Sequence, residues 1–151
     1  FVFCLIFFFF SNITGIKLIL YTLLFGCIGS DIGGFIFGKI FKGPKLTKLS
    51  PNKTYSGMIG GFLLSLITLQ ILFNLKTLNI EINLSLNSIL FIFFISLSSQ
   101  IGDICISYFK RKSKIKDTGK LIPGHGGLLD RIDGIIFAIP TAYFIILNNL
   151  I

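Results

Sequence analysis

Residues 107–133 read SYFKRKSKIKDTGKLIPGHGGLLDRID: a histidine followed by paired glycines, three carboxylates and a dense basic cluster. They lie between two strongly apolar runs, and the run before them carries a further acid, Asp103. Carboxylates, a histidine, glycines and lysines gathered at the edge of apolar sequence suit a site for phosphate and a metal ion. Hard oxygen ligands suit Mg²⁺, which typically takes one or two carboxylates together with substrate phosphates. Asp103 and Asp130, from separate helices, could supply those carboxylates.

The neighbours of these acids sharpen the reading. Ser96, Ser99, Asp103 and Ser107 follow one another at three- and four-residue steps, which places them on one face of a helix. Gln100 lies beside that stripe and Lys110 continues it, so the stripe resembles one wall of a metal or phosphate cavity. Asp130 and Asp133 share a face at i, i+3, where they could equally complement a helix N-terminus. His125, Gly126 and Gly127 follow Pro123 and Gly124. Glycines allow close backbone approach, and successive N–H groups can form an anion nest. Asp31 is a second acid inside an apolar run. A carboxylate in a bilayer costs roughly 2.5–3.5 kcal/mol on insertion scales, and it marks function by default; for Asp31 and Asp103 alike the plainer alternative is a buried ion pair, for example to Lys39 or Lys53. In GPKLTKLSPNKTYSG, residues 43–57, the lysines could serve topology alone. Lys53 and Thr54, just before a glycine-rich helix start, could instead hold a phosphate at a helix N-terminus.

These residues need elements to position them, and the composition says which. Of 151 residues, 53% are hydrophobic and 13% charged, against about 25% charged in a soluble domain; mean hydropathy is +0.88. A membrane-crossing helix needs roughly 20 mostly apolar residues. Four blocks qualify, at 16–41, 57–75, 88–109 and 132–151, and 1–10 reads as a partial span. The fold class is all-α: a polytopic membrane helix bundle of about four full spans plus a partial N-terminal one. One membrane domain over 1–151 is expected, with no repeat of fixed period. The chain does not begin with Met, which reads as a cut N-terminus. A signal peptide is not expected, since a positive n-region and a small-residue cleavage site are missing.

The net charge of +8 does not point to nucleic acid, because of where it falls. Twelve of the fourteen basic residues lie in or beside two segments, 42–56 and 110–131, separated by two spans; Lys17 and Lys76 are the others. That is the positive-inside pattern. It puts both segments in the cytoplasm and the C-terminus outside, with the basic loops meeting anionic headgroups. Cys4, Cys27 and Cys105 all lie in apolar runs without metal-like spacing, so they read as small buried hydrophobes. Gly29/Gly33, Gly34/Gly38 and Gly57/Gly61 have the spacing of close helix–helix packing. Gly33 and Gly34, near Asp31, could also let backbone approach a ligand.

At the polar segment the chain resembles the phosphatidate cytidylyltransferase (CDP-diacylglycerol synthase) family. The family signature is S-x-apolar-K-R, four residues, K-D-x-small, two residues, then apolar-P/G-x-H-G-G-apolar-x-D-R-apolar-D. Ser107, Phe109, Lys110, Arg111, Lys116, Asp117, Gly119, Ile122, Pro123, His125, Gly126, Gly127, Leu128, Asp130, Arg131, Ile132 and Asp133 fill it. QIGD at 100–103 resembles the family's acidic helix motif, and residues 30–61 its first cytoplasmic motif. Ser56 stands where the family usually has Glu. The resemblance covers nearly all of this chain and the C-terminal part of a usual member.

The resemblance implies transfer of the cytidylyl group of CTP to phosphatidate, giving CDP-diacylglycerol and pyrophosphate. It implies that Asp103 and Asp130, assisted by Ser107, hold Mg²⁺ and a second cation. Lys110, Arg111, Lys116 and Arg131 would bind phosphates. His125, Gly126 and Gly127 would shape the nucleotide pocket, Asp31 and Asp133 would orient the groups around them, and Lys53 and Thr54 would touch a substrate phosphate. The expected address is the cell (inner) membrane with the site facing the cytoplasm, and a homodimer stays open. Both substrates are polyanions, so a divalent ion and a basic field must offset their repulsion. No strong general base is required, because a phosphate monoester is largely ionised near pH 7. Three alternatives remain: an inactive remnant of the enzyme, a relative using CTP on another lipid or prenyl phosphate, and an ion-coupled transporter with Asp31 and Asp103 as ligands. The last does not explain a basic HGG segment on one side.

Overall fold

The computed structural model describes residues 6, 14–46, 53–74, 86–115, 118–119 and 129–148; of residues 14–18, 73–74, 130 and 131 it describes the backbone alone. Four helices follow one another: α1 (Thr14–Phe41), α2 (Tyr55–Asn74), α3 (Leu86–Lys112) and α4 (Leu129–Leu147). Among the described residues there is no strand, only an isolated bridge between Lys45 and Thr54. The all-helical membrane bundle read from composition is thus the observed architecture.

Three helices contain segments long and apolar enough to cross a membrane: Ile19–Phe41, Tyr55–Leu72 and Leu86–Lys112. The fourth apolar segment, Ile132–Leu147, is shorter. The span expected at 132–151 therefore ends sooner in the described helix, and its last residues, 149–151, lie outside the described ones. Of the partial span expected at 1–10, only Ile6 is described. At 1.5 Å per residue α1 is about 42 Å long and α4 about 28 Å, so α1 outreaches a hydrocarbon layer of about 30 Å.

Two kinds of packing hold the bundle. Between α1 and α2 the contact is backbone on backbone. A Cβ on Gly57 would lie 2.7 Å from the Gly34 carbonyl, and one on Gly61 2.8 Å from the Ser30 carbonyl. Gly33 abuts the Gly60 carbonyl still more closely. The glycine spacing is therefore a packing seam, as small residues make in membranes where no hydrophobic drive separates helix from lipid. Among α1, α3 and α4 a core of apolar side chains forms. Leu23, Cys27, Ile95, Ala138, Ile139 and Ala142 form the buried cluster, flanked by Phe91, Ile135 and Tyr143. Phe62 of α2 meets Phe93 of α3 edge-on, with ring centroids 5.1 Å apart.

The helix ends are closed by the chain itself. Lys42 adopts φ 43° just past α1, and Lys114 φ 57° just past α3. At the latter, Ile115 N–H donates to the Lys110 carbonyl (3.0 Å) and Lys114 N–H to that of Arg111 (3.0 Å), the paired bonds of a Schellman stop. Lys110, Arg111 and Lys112 fill the last turn of α3, where cations complement the helix dipole. Pro140 lies inside α4 and removes one ladder donor; the next residue, Thr141, bonds its hydroxyl to the Phe137 carbonyl at 2.9 Å. With the helices running alternately up and down, the C-terminal ends of α1 and α3 and the N-terminal ends of α2 and α4 share one end of the bundle.

Candidate functional site

At that end three carboxylates converge from three helices. Asp31 comes from α1, Asp103 from α3 and Asp133 from the first turns of α4. Asp31 feels the charges of Asp103, Asp133 and Lys53. Asp133 likewise feels the charges of Asp103 and Lys110. Two lysines answer them. Lys53 Nζ lies 3.0 Å from Asp103 Oδ2, and Lys110 Nζ 3.9 Å from Asp133 Oδ2. Asp133 also accepts from the Gly134 N–H at 3.0 Å, which anchors its carboxylate on the helix that carries it.

A cleft of about 720 Å³, counting its open mouth, lies beside these groups. Asp31 and Gly34 of α1, Lys53 and Thr54 of the connection, and Gln100 and Asp103 of α3 line it. Asp103 stands on the shared wall, facing the cleft on one side and α4 on the other. Its floor is tied by a polar knot. Ser96 donates to Ser30 Oγ (3.0 Å). Gln100 Nε2 lies 3.3 Å from Ser30 Oγ, 3.2 Å from Ser96 Oγ and 3.3 Å from the Met58 carbonyl. Two amide hydrogens thus serve three acceptors and tie α1, α2 and α3 together.

The serine stripe read from spacing therefore divides. Ser96 serves helix–helix bonding, and Ser99 is wholly buried against the Cys27 thiol; neither lines the cleft. Asp103 alone of the stripe does so, with Ser107 half-buried one turn further on. Cys27 is buried and Cys105 half-buried, both as free thiols, as expected of small hydrophobes; Cys4 lies outside the described residues.

The connection between α1 and α2 is tightly bonded. Leu46 N–H donates to the Lys53 carbonyl (2.8 Å) and Tyr55 N–H to that of Pro44 (3.1 Å). Thr54 Oγ1 accepts from Gly57 N–H at 3.1 Å, so this hydroxyl is an N-cap. Ser56 Oγ accepts from Gly43 N–H (3.3 Å) and lies 3.0 Å from Thr54 Oγ1. The serine where the family usually has Glu thus stitches the two ends of the connection. Lys39, the other candidate partner for an intramembrane acid, instead sits 5.7 Å from the Phe35 ring centroid. The ion-pair alternative is met at Asp103, through Lys53.

Asp31 and Asp133, given only an orienting part by the resemblance, stand in the carboxylate group itself. Spacing did not reveal this, because it depends on how three helices cross. Lys110 and Arg111 separate: Lys110 turns inward to Asp133 while Arg111 is exposed, since adjacent helical residues do not face the same way. Lys116, His125, Gly126 and Gly127 lie outside the described residues, as do the side chains of Asp130 and Arg131. Asp130 does fall in the first turn of α4.

The chemistry of these groups can be tested against a divalent cation. Asp103 Oδ1 is buried without a hydrogen-bond partner, and the charges of Asp31 and Asp133 are felt across the same group. An unsatisfied carboxylate oxygen in such company fits a hard ion. Among the described residues, no group of three or more His, Cys, Asp or Glu has the geometry to hold a metal. The fit is therefore to an ion taking one or two protein carboxylates and completing its shell from phosphates or water, as Mg²⁺ does.

The chain is similar to known proteins. The model of a family described as the cytidylyltransferase family matches residues 1–148. The phosphatidate cytidylyltransferase of Rickettsia bellii is 43% identical over 130 residues, covering 82% of this chain and 56% of that protein. That of Rickettsia conorii is 45% identical over 121 residues, 76% of this chain and 52% of the other. That of Staphylococcus aureus (strain COL) is 36% identical over 144 residues, 95% and 54% respectively. The chain spans about half the length of the curated relatives it matches.

Proposed function

The chain belongs to the cytidylyltransferase family, and from that premise we propose that it carries the site at which the cytidylyl group of CTP is transferred to phosphatidate. The observation that supports this most directly is the meeting of Asp31, Asp103 and Asp133 with Lys53 and Lys110 at one end of an apolar helix bundle. A lipid substrate reaches such a site from the bilayer and a nucleotide from water. The basic segments 42–56 and 110–131 favour the cytoplasmic side of the cell (inner) membrane.

In the proposed reaction, an oxygen of the phosphatidate phosphate forms a bond to the α-phosphorus of CTP. The bond from that phosphorus to the β-phosphate bridging oxygen breaks, and pyrophosphate leaves with the electron pair. A bound Mg²⁺ would supply charge neutralisation to phosphates that otherwise repel one another. Asp103, with Asp130 or Asp133, would hold it, and Ser107 is placed one turn away to assist. Lys53 lines the cleft and Lys110 faces Asp133, so both stand beside the carboxylates and could offset phosphate charge. Thr54 keeps the Lys53 backbone in place through its cap. His125, Gly126, Gly127, Lys116 and Arg131 complete the proposal on the strength of the signature alone.

The test is Asp103→Asn, assayed for Mg²⁺-dependent incorporation of CTP label into lipid. A fall of at least about 10²-fold is expected if this carboxylate carries the ion, the range seen when a key electrostatic group is removed. Undiminished turnover would rule that role out. The ion-coupled transporter reading is favoured by no observation at this site.

A further inference from the structure

Lys53 is held in an unusual way. Among the described residues its ammonium group makes one ion pair, to Asp103 Oδ2 at 3.0 Å. The nitrogen itself is buried and finds no hydrogen-bond partner beyond that pair, although an ammonium has three donors. Across the pair, Asp103 keeps its other oxygen buried and unpartnered, with Asp31 and Asp133 adding negative charge nearby. With Lys110 facing Asp133, Lys53 is left against the charge of Asp103 and Asp31, in a position it only partly satisfies.

The backbone of Lys53 and Thr54 is held by hydrogen bonds, whereas the Lys53 stem is tied only at its tip. The Lys53 carbonyl accepts from Leu46 N–H, and Thr54 next to it caps α2. Lysine carries its charge on a flexible four-carbon stem, and this stem lines the cleft. The ammonium can leave Asp103 and swing along the cleft wall without any movement of the helices.

We propose that Lys53 is a positioning residue that exchanges partners: it neutralises Asp103 until a divalent cation binds there, and the displaced ammonium then takes a substrate phosphate. The two binding events would be coupled through this one side chain. The cation pays to displace Lys53, and the phosphate recovers that cost by giving the ammonium a new partner. A cation alone would bind weakly, a phosphate alone would find its lysine engaged, and the two together would bind well. The role assigned to the cation rests on the function proposed above; the displacement itself does not require that the phosphate belong to CTP.

The experiment uses Mn²⁺ as the cation probe and inorganic pyrophosphate as the phosphate probe, on the protein in detergent micelles. Mn²⁺ binding is read by electron paramagnetic resonance for the unaltered protein, Lys53→Met and, as control, Lys45→Met. Without phosphate, Lys53→Met is expected to bind Mn²⁺ at least about tenfold more tightly, the order expected when a competing charge beside a carboxylate is removed. With pyrophosphate present, the same variant is expected to show less enhancement of Mn²⁺ binding than the unaltered protein. A lysine that merely braced the fold would not give opposite signs in the two conditions. As a second readout needing no variant, amine acylation of Lys53 is followed by mass spectrometry. Mn²⁺ should raise it, and pyrophosphate added with Mn²⁺ should lower it again. Labelling of Lys53 that ignores Mn²⁺, or Mn²⁺ binding that is unchanged or weaker in Lys53→Met, overturns the exchange even if the enzyme turns CTP over. Exchange with pyrophosphate in a protein that does not incorporate CTP would sustain it and sink the cytidylyl-transfer reading instead.

Discussion

Gly134 backs directly onto Asp103. A Cβ on Gly134 would lie 3.0 Å from Asp103 Oδ1 and 3.2 Å from the Ser99 carbonyl, and would press on the Ser99 hydroxyl. The approach of α4 to α3 is thus set where the carboxylates meet, and it brings Asp133 beside Asp103. A neighbouring contact repeats the pattern, since a Cβ on Gly102 would lie 2.9 Å from the Asp133 carbonyl.

Gly134→Ala should therefore harm the site more than its single methyl suggests. Overpacking a tight contact costs typically 1–3 kcal/mol, and here the strain falls on the carboxylate pair. Turnover should drop by about tenfold or more with a lower melting temperature in detergent, because a few tenths of an ångström at a positioned group are enough to misplace it. Wild-type melting and turnover in Gly134→Ala would mean that the two helices have slack at this point.

The Gln100 knot makes a separate prediction about stability. Gln100→Leu keeps most of the volume but leaves the Met58 carbonyl without this donor and removes a partner from Ser30 and Ser96. Ser30 and Ser96 are buried and keep their mutual bond, so each lost hydrogen bond costs about 0.5–1.5 kcal/mol net. Because Ser30 shares the network, Gln100→Leu and Ser30→Ala should be non-additive. Thermal unfolding of the two single variants and the double variant measures the coupling, and simple additivity would dissolve the knot into independent bonds.

What could be read in advance follows from what is local. The helices were legible because apolar blocks of membrane-crossing length are a property of consecutive residues, and the seam between α1 and α2 was legible from the four-residue spacings Gly29/Gly33, Gly34/Gly38 and Gly57/Gly61. Asp103 stood out as an acid where none is cheap. Asp31 was named for the same reason, but that it and Asp133 meet Asp103 was not legible, since each reaches it only through the crossing of separate helices. Nor was the loss of Ser96 to a bond with Ser30, 66 residues away in sequence. Spacing says which side chains share a face, not what the face meets. The same limit hid the work of Ser56, whose hydroxyl has meaning only once Gly43 folds back onto it.

That serine gives a prediction with a local readout. Ser56→Ala removes the acceptor for Gly43 N–H and the contact with Thr54 Oγ1. At about 0.5–1.5 kcal/mol net per hydrogen bond, the loss should loosen the connection rather than unfold the bundle. Hydrogen exchange at residues 43–46 and 53–56 should speed up while exchange in α3 stays unchanged. Equal acceleration throughout the bundle would instead make Ser56 a determinant of global stability.

Lys110 and Arg111 are adjacent in sequence but should differ sharply in function. The Lys110 side chain is largely buried, 14% exposed, and faces Asp133, whereas Arg111 lies exposed on the other side of the helix end. Removing Lys110 leaves a carboxylate in a poorly solvated place, the costly half of breaking a buried pair; removing Arg111 strips a surface charge. Lys110→Gln should lower turnover by at least about tenfold, the effect expected of uncovering a buried charge. Arg111→Gln should keep turnover near the wild-type level but weaken its dependence on anionic lipid, at about 1 kcal/mol per basic residue near a charged surface. Vesicles of increasing phosphatidylglycerol content, assayed with each variant, separate the two. If Arg111→Gln proved as damaging as Lys110→Gln in neutral and anionic vesicles alike, the arginine would have to turn inward when substrate binds, and its place on the outer face would describe only the resting protein.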